Sequence, residues 1–153
     1  HEIAKETAGS YNIKTGRGGM VDVEFITQYL QLRYGRNNPQ LRCQNTVAVL
    51  MEVRQLGLLS HEDTDTLIAG YKFLRKLENR LRLLHDHSIN DLAGDQRYLD
   101  KLARRLGYDP KLRHPGRELM QDYETFTEGI REVYERVLGE RAEPSEQTEE
   151  KES

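Results

Sequence analysis

The sequence predicts an all-α fold, a bundle of about five amphipathic helices. Apolar residues recur at three- and four-residue steps in five separate stretches, and glycines or capping residues separate these stretches. Strict alternation of apolar and polar residues persists nowhere over a strand's length, and no Asn-Gly or Asp-Gly hairpin turn occurs. The 153 residues suffice for one domain. We place that domain at 1–139, with a disordered acidic tail at 140–153.

The first two predicted helices each end at a glycine. The apolar stripe of the first consists of Val21, Phe25, Tyr29 and Leu32, widened by Val23, Ile26 and Leu30. This pattern indicates a helix that is buried on much of its circumference and stops near Gly35. Asn45 is suited to cap the second helix, which ends at Gly57. Its apolar residues are Val47, Leu50, Met51 and Val53.

The other three helices are longer or more strongly charged. Ser60, followed by Asp63, resembles a capping box and opens the longest helix, which runs to about Leu84. The apolar face of that helix comprises Leu67, Tyr71, Leu74, Leu77, Leu81 and Leu84. Asp95 is predicted to cap a fourth helix, closed by Gly107. A fifth is predicted from about Arg117 to Leu138, with apolar residues Leu119, Tyr123, Phe126, Ile130, Val133 and Val137.

Composition and charge exclude several classes of function. Residues 140–153 hold six Glu against two basic residues, a net charge of −4, which leaves +1 of the total −3 for the body. A nearly neutral body does not indicate a nucleic-acid binder. The tail is a solvated terminus or a contact for a basic partner. No apolar run is long enough to span a bilayer, and the first residues lack the apolar core of a secretion signal.

The single cysteine, Cys43, rules out a disulfide framework and fits the reducing cytoplasm. Because no basic partner stands beside it in the sequence, we interpret it as a packing residue rather than a nucleophile. The chain begins with His1 instead of Met, so we expect it to be a piece of a longer protein.

The stretch most indicative of chemistry is KTGRGGMVDVEF at 14–25. Its glycines allow the backbone to approach a ligand closely, its two cations attract anions, and it runs into a helix N-terminus, which also favours an anion. Its two acids either compensate the helix dipole or turn toward a metal or a basic group. The candidate site residues are Lys14, Gly16, Arg17, Gly18, Gly19, Asp22 and Glu24. The alternative is a tight interdomain turn with ordinary acids at a helix start.

Two other patterns suggest metal-dependent chemistry. Gly9 and Ser10, followed by Asp22 and Glu24, resemble the pattern with which nucleotidyltransferases hold magnesium, although those acids lie on a strand and these open a helix. The order of the HD phosphohydrolases, which bind divalent metal, is matched by His61, His85, Asp86 and Asp100. The alternative for His85 is an interaction with the C-terminal dipole of its helix.

The third helix also carries a basic set, which comprises Arg75, Lys76, Arg80 and Arg82. Glu78 has the spacing to pair with Arg75 or Arg82. The set is therefore a solvated face with intrahelical pairs or a docking surface for a neighbouring domain.

The glycine-rich stretch also carries a family resemblance. Residues 13–25, IKTGRGGMVDVEF, continuing into Gln28, Tyr29 and Leu30, resemble a signature of the bacterial glutamine synthetase adenylyltransferases. The related PII uridylyltransferases have a version of the same helical domain. The looser stretches YKFLRKLENRL at 71–81 and LARRLGY at 102–108 also fit, so the resemblance covers about residues 2–139.

The resemblance implies the architecture of a bifunctional enzyme with two nucleotidyltransferase halves, each followed by a helical domain. One half transfers AMP from ATP, with Mg²⁺, to a tyrosine of glutamine synthetase, and the other removes it by phosphorolysis. Glutamine and the PII signal protein set the balance. This chain would be a helical domain whose partners are the upstream catalytic domain, glutamine synthetase and PII, and its tail favours the C-terminal half. The catalytic aspartates would lie upstream, so we expect the chain alone to be inactive and to hold no cofactor tightly.

Overall fold

The computed structural model describes residues 11–85, 91–92 and 96–139. In these ranges the chain forms five α-helices and one short strand pair, which confirms the all-α prediction. The helices are α1 Met20–Tyr34, α2 Thr46–Leu56, α3 His61–His85, α4 Gln96–Arg105 and α5 Pro115–Tyr134; the strands are β1 Tyr11–Asn12 and β2 Asp91–Leu92. A 3-10 turn, Pro39–Leu41, precedes α2, and a π-helical turn, Glu135–Gly139, follows α5. The tail at 140–153 and the Asp95 cap lie outside the described residues.

Helices α3 and α5 form the antiparallel centre of the bundle. The ring of Phe73 packs on that of Phe126 with centroids 4.7 Å apart, and Arg136, just after α5, pairs with Asp63 at the start of α3. All five helices contribute to one core, which includes Val23, Ile26, Leu30, Leu50, Val53, Leu67, Leu74, Leu77, Leu81, Leu102, Leu119 and Ile130. None of the helices described here has the length and apolar character needed to cross a bilayer.

Three predicted helix boundaries are confirmed by their caps. The side-chain oxygen of Asn45 accepts the N–H of Ala48 at 2.9 Å, and the Ser60 hydroxyl accepts the N–H of Asp63 at 3.0 Å. Gly57 ends α2 with a left-handed φ of 72°, a conformation that glycine adopts without strain. Side-chain acceptors at the start and a glycine at the end satisfy backbone groups that the helix itself leaves free.

One prediction about α1 is wrong, namely that Phe25 and Leu32 belong to its buried side. Phe25 and Leu32 are 47% and 86% exposed, whereas Val23, Ile26 and Leu30 lie in the core. Apolar residues occur on nearly every side of this helix, so periodicity alone did not select the buried side. The structure therefore leaves an apolar side of α1 facing outward.

Two further differences concern element boundaries. Helix α5 begins at Pro115 rather than about Arg117, because the first position of a helix tolerates proline, and it passes into the π-helical turn after Tyr134. The strand pair was not predicted. It joins Tyr11 to Leu92 and Asn12 to Asp91 in antiparallel register, and two residues are too few to show a period of two.

A buried carboxylate fastens α4 to the start of α5. Asp100 is 7% exposed, and its oxygens accept the N–H of Gly116 at 2.8 Å and the amide of Gln96 at 2.8 Å, while His114 Nδ1 lies 3.1 Å away. Burial by itself would raise the pKa of Asp100, but the hydrogen bonds from Gly116, His114 and Gln96 outweigh burial and hold it below its usual value.

This arrangement makes the stability of the fold depend on the ionisation of Asp100. A carboxyl group whose pKa is lower in the folded state stabilises the fold above its unfolded pKa, and that contribution is lost as the pH falls through the folded value. We expect Asp100→Asn to lower the free energy of unfolding at pH 7, with the deficit shrinking below about pH 4. Urea unfolding at a series of pH values measures this difference. Asp109→Asn, at an exposed loop residue, is the matched control, and a deficit independent of pH would contradict the interpretation.

Candidate functional site

Asn12, the residue that ends β1, folds the start of residues 13–25, which we call the glycine-rich segment. The Asn12 side-chain oxygen accepts the N–H groups of Lys14 and Thr15 at 3.0 and 2.7 Å, and its carbonyl accepts the N–H of Gly16 at 2.9 Å. Asparagine favours such turns because its side chain can replace a backbone acceptor. Sequence reasoning missed Asn12, although an asparagine just before a run of glycines is a recognisable turn signal.

The backbone amides of this segment are largely used inside the chain. Five of them donate to acceptors that lie between Asn12 and Asp22, namely those of Gly16, Gly18, Gly19, Met20 and Val21. A helix N-terminus binds an anion through backbone N–H groups that have no other hydrogen-bond acceptor and point toward the anion. Here the segment offers an incoming anion its side chains rather than these five amides.

Gly18 lies directly against α5. Its φ is +73°, and a Cβ built on it would overlap the carbonyl oxygen of Thr127. A Cβ on Gly19 would stand 2.6 Å from the carbonyl oxygen of Ile13. Only glycine combines this φ with this close approach, so the packing of the segment on α5 accounts for the glycine at position 18.

Charged side chains fasten the same segment to the end of α5. Asp22 Oδ2 accepts the N–H of Gly18 at 2.7 Å and pairs with Arg131 Nη1 at 3.2 Å. Glu135 Oε2 lies 3.1 Å from both Arg131 Nε and Arg17 Nη1. The hydrogen bond from Arg131, with that from Arg17, holds the pKa of Glu135 below its usual value. The sequence left several roles open for Asp22, and the structure shows one of them, a contact with the basic side chain of Arg131. We call these four charged residues the α5 clamp.

Glu24 points away from Asp22. Its Oε2 accepts the hydroxyl of Tyr71 at 2.8 Å, and burial raises the pKa of that phenol, which keeps it a neutral donor. Glu24 also lines an open polar cavity of about 450 Å³ between α1 and α2, together with Gln28 and Gln44. Because the two carboxylates engage different elements, they do not form the paired magnesium ligands of a nucleotidyltransferase. Gly9 and Ser10 lie outside the described residues.

Lys14 is the predicted site residue whose charge remains most open to a ligand. Its side chain is 46% exposed, and its ammonium lies 3.8 Å from Glu78 Oε2, a longer separation than a hydrogen bond. The Glu78 side chain is only 9% exposed, and Oε2 accepts no hydrogen bond. Arg82 lies 3.8 Å from the other oxygen, which confirms one of the two pairings predicted for Glu78. A buried carboxylate therefore sits beneath the Lys14 ammonium, and sequence reasoning did not connect the two.

The structure does not bring together the two histidines of the alternative HD metal set. His61 and His85 stand at opposite ends of the 25-residue α3, which places them about 36 Å apart at the helical rise per residue. Asp100 is bound to His114 and Gly116, as described above. The structure shows no group of three His, Cys, Asp or Glu placed to hold a metal ion within the described ranges. Asp86 lies outside them.

The rest of the basic set on α3 makes contacts of its own. Arg75 lies over the ring of Tyr71 at 5.9 Å, and the ammonium of Lys76 donates to the carbonyl of Leu106 at 3.2 Å. Together with Arg80 these side chains line an open groove of about 570 Å³ that Leu83 also borders. The interpretation as a solvated face with intrahelical pairs holds for Arg82; a docking role for the set stays a prediction.

Comparison with known proteins finds one matching family model and a set of similar curated enzymes. The family model described as GlnD PII-uridylyltransferase matches residues 2–138. The chain belongs to this family. It also matches curated bifunctional glutamine synthetase adenylyltransferase/adenylyl-removing enzymes. The resemblance found in the sequence is thereby confirmed.

Three of these relatives show how far the similarity extends. The enzyme of Bartonella quintana is 42% identical over 67% of this chain, that of Methylococcus capsulatus 34% over 91%, and that of Neisseria meningitidis serogroup B 30% over 96%. The matched region is 10% of the first relative and 15% of each of the other two. The chain therefore spans only a small part of the length of these relatives.

Replacement of Gly18 by alanine should destabilise this family member much more than the same change at Gly57. Both glycines have a φ near +70°, which costs alanine about 1–2 kcal/mol, but Gly57 has open space around its Cβ position. At Gly18 the overlap with the Thr127 carbonyl adds about 1–3 kcal/mol of overpacking. Urea unfolding of Gly18→Ala and Gly57→Ala measures the difference, and equal losses would show that contact with α5 does not constrain the segment.

Proposed function

We propose that this chain is the helical domain that follows a nucleotidyltransferase domain in a glutamine synthetase adenylyltransferase. The observation that supports this most is the match to such enzymes over as much as 96% of the chain. In this proposal the longer enzyme transfers AMP from ATP to glutamine synthetase in the cytoplasm and removes it by phosphorolysis. The catalytic aspartates belong to the upstream domain, and the PII signal protein acts on the longer enzyme.

Within that enzyme, the glycine-rich segment faces the active-site cleft and Lys14 contacts phosphate oxygens of ATP. Three observations support this role: the Lys14 side chain is about half exposed, its neighbour Glu78 lies 3.8 Å away without a hydrogen bond, and the α5 clamp holds the glycine-rich segment on α5. An ammonium that lies near a buried carboxylate without donating to it retains its donors for a second anion.

Magnesium does not fit the acids of this segment. Asp22 is engaged by Arg131 and by the N–H of Gly18, while Glu24 is engaged by Tyr71. A magnesium ion needs oxygen ligands in near-octahedral geometry around one point. We therefore assign Mg²⁺ to the catalytic domain, where it supplies charge neutralisation at the triphosphate, and assign to this chain a single cationic contact.

Lys14→Ala in the longer enzyme should lower the rate of adenylyl transfer. A charge-assisted hydrogen bond is worth about 1.5–3 kcal/mol, so we expect kcat/KM for ATP to fall about 10- to 100-fold. Steady-state kinetics with glutamine synthetase as acceptor measures this. Lys101→Ala, at an exposed position on α4, is the control that removes the same charge elsewhere.

Two results would contradict the role of Lys14. An unchanged kcat/KM in a folded Lys14→Ala enzyme would remove the phosphate contact from the proposal. A shifted balance between transfer and removal, with unchanged affinity for ATP, would instead indicate that the segment is an interdomain hinge. Arg17 is left intact in this test, because its loss would also break the contact with Glu135.

A further inference from the structure

The outward side of α1 carries an apolar ridge. The ridge consists of Val21, Phe25, Tyr29 and Leu32, and we call it the α1 ridge. Leu32 is 86% exposed and Phe25 is 47% exposed, while Val21 and Tyr29 are half-buried. The opposite side of the helix, with Val23, Ile26 and Leu30, already packs into the core.

The α1 ridge differs from the single apolar residues that occur on any protein surface. Its members follow one another at four-, four- and three-residue steps, so they form a line of about 16 Å along one side of the helix. This spacing is the one by which a helix packs against another surface. Two of the four large apolar side chains that are most exposed in the described ranges belong to it.

We propose that the catalytic domain of the longer enzyme packs against the α1 ridge. The inference rests on the proposed function and adds the surface by which the two domains meet. The matched enzymes are far longer than this chain, which is 10–15% of their length, so ample polypeptide is present in them to cover the ridge.

The position of the ridge favours this occupant. The N–H of Val21 donates to the carbonyl of Lys14 at 2.9 Å, so the ridge begins where the glycine-rich segment ends. A domain that covers the Val21 end of the ridge therefore lies near the backbone of Lys14. That is the neighbourhood that a contact between Lys14 and a bound nucleotide requires.

Charge disfavours a second copy of the chain as the occupant. Exposed basic side chains stand at both ends of the ridge, Lys14 before it and Arg36 after it. A two-fold symmetric pairing of ridges brings basic ends together in either orientation, because both ends have the same sign. The ridge instead fits an apolar surface that is flanked by acidic groups.

Cysteine labelling tests this interface in the protein itself. Leu32→Cys places a thiol on the ridge, and Met51→Cys, at a residue 57% exposed on α2, is the matched control. Each variant is made in the 153-residue chain and in the longer enzyme, is treated with a small maleimide, and is analysed by mass spectrometry of the peptide that contains the new thiol. Labelling in urea gives the unprotected rate.

We expect both thiols to react at similar rates in the 153-residue chain. In the longer enzyme we expect Leu32→Cys to react at least about tenfold more slowly than Met51→Cys. Equal rates in the longer enzyme would overturn the inference. So would protection of position 32 in the 153-residue chain that rises with concentration and accompanies a dimeric mass, because the occupant would then be a second copy.

A separate measurement distinguishes failure of the interface from failure of the proposed function. Adenylyl transfer from ATP to glutamine synthetase is assayed with the unsubstituted longer enzyme. Transfer without protection at position 32 would overturn the interface alone. Absence of transfer would overturn the proposed function, whatever the labelling rates.

Discussion

The contact between Asp22 and Arg131 is the constraint on which the glycine-rich segment depends. Asp22 is 9% exposed, and a carboxylate buried to that extent is costly unless it is paired and hydrogen-bonded. It receives the N–H of Gly18 from one side and the guanidinium of Arg131 from the other. Because the same oxygen serves both donors, the conformation of the segment and its position on α5 are fixed together.

This constraint divides the charged residues of the segment between two roles. Asp22 and Arg17 hold the segment to α5, and their contacts are satisfied inside the domain. Lys14, on the opposite side of the turn made by Asn12, stands over the imperfectly paired Glu78. A rigid backbone that presents a loosely paired cation is a preorganised arrangement, since no ordering of the segment would be needed when an anion binds.

The sequence was sufficient for these helix caps, whose signals are local, although the equally local turn at Asn12 was missed. Asn45, Ser60 and Gly57 were recognised as caps because each acts on backbone groups within a few residues. The side of α1 that enters the core was not, because apolar residues surround that helix and the choice depends on which neighbours it meets. Residues 22 and 131, or 14 and 78, are brought together by the packing of separate helices. No pattern in a single sequence indicates such pairs.

The contact between Arg17 and Glu135 joins residues that are 118 positions apart in the chain. The polypeptide therefore comes into the bundle and leaves it at the same place, beside β1 and the π-helical turn. Both side chains are about half exposed, so salt screens this pair more than the buried pair of Asp22 and Arg131. The two ends of the bundle are thus joined by a weaker, exposed ion pair and by a stronger, buried one. Separation of these two ends would therefore break the exposed pair of Arg17 and Glu135 before the buried pair of Asp22 and Arg131.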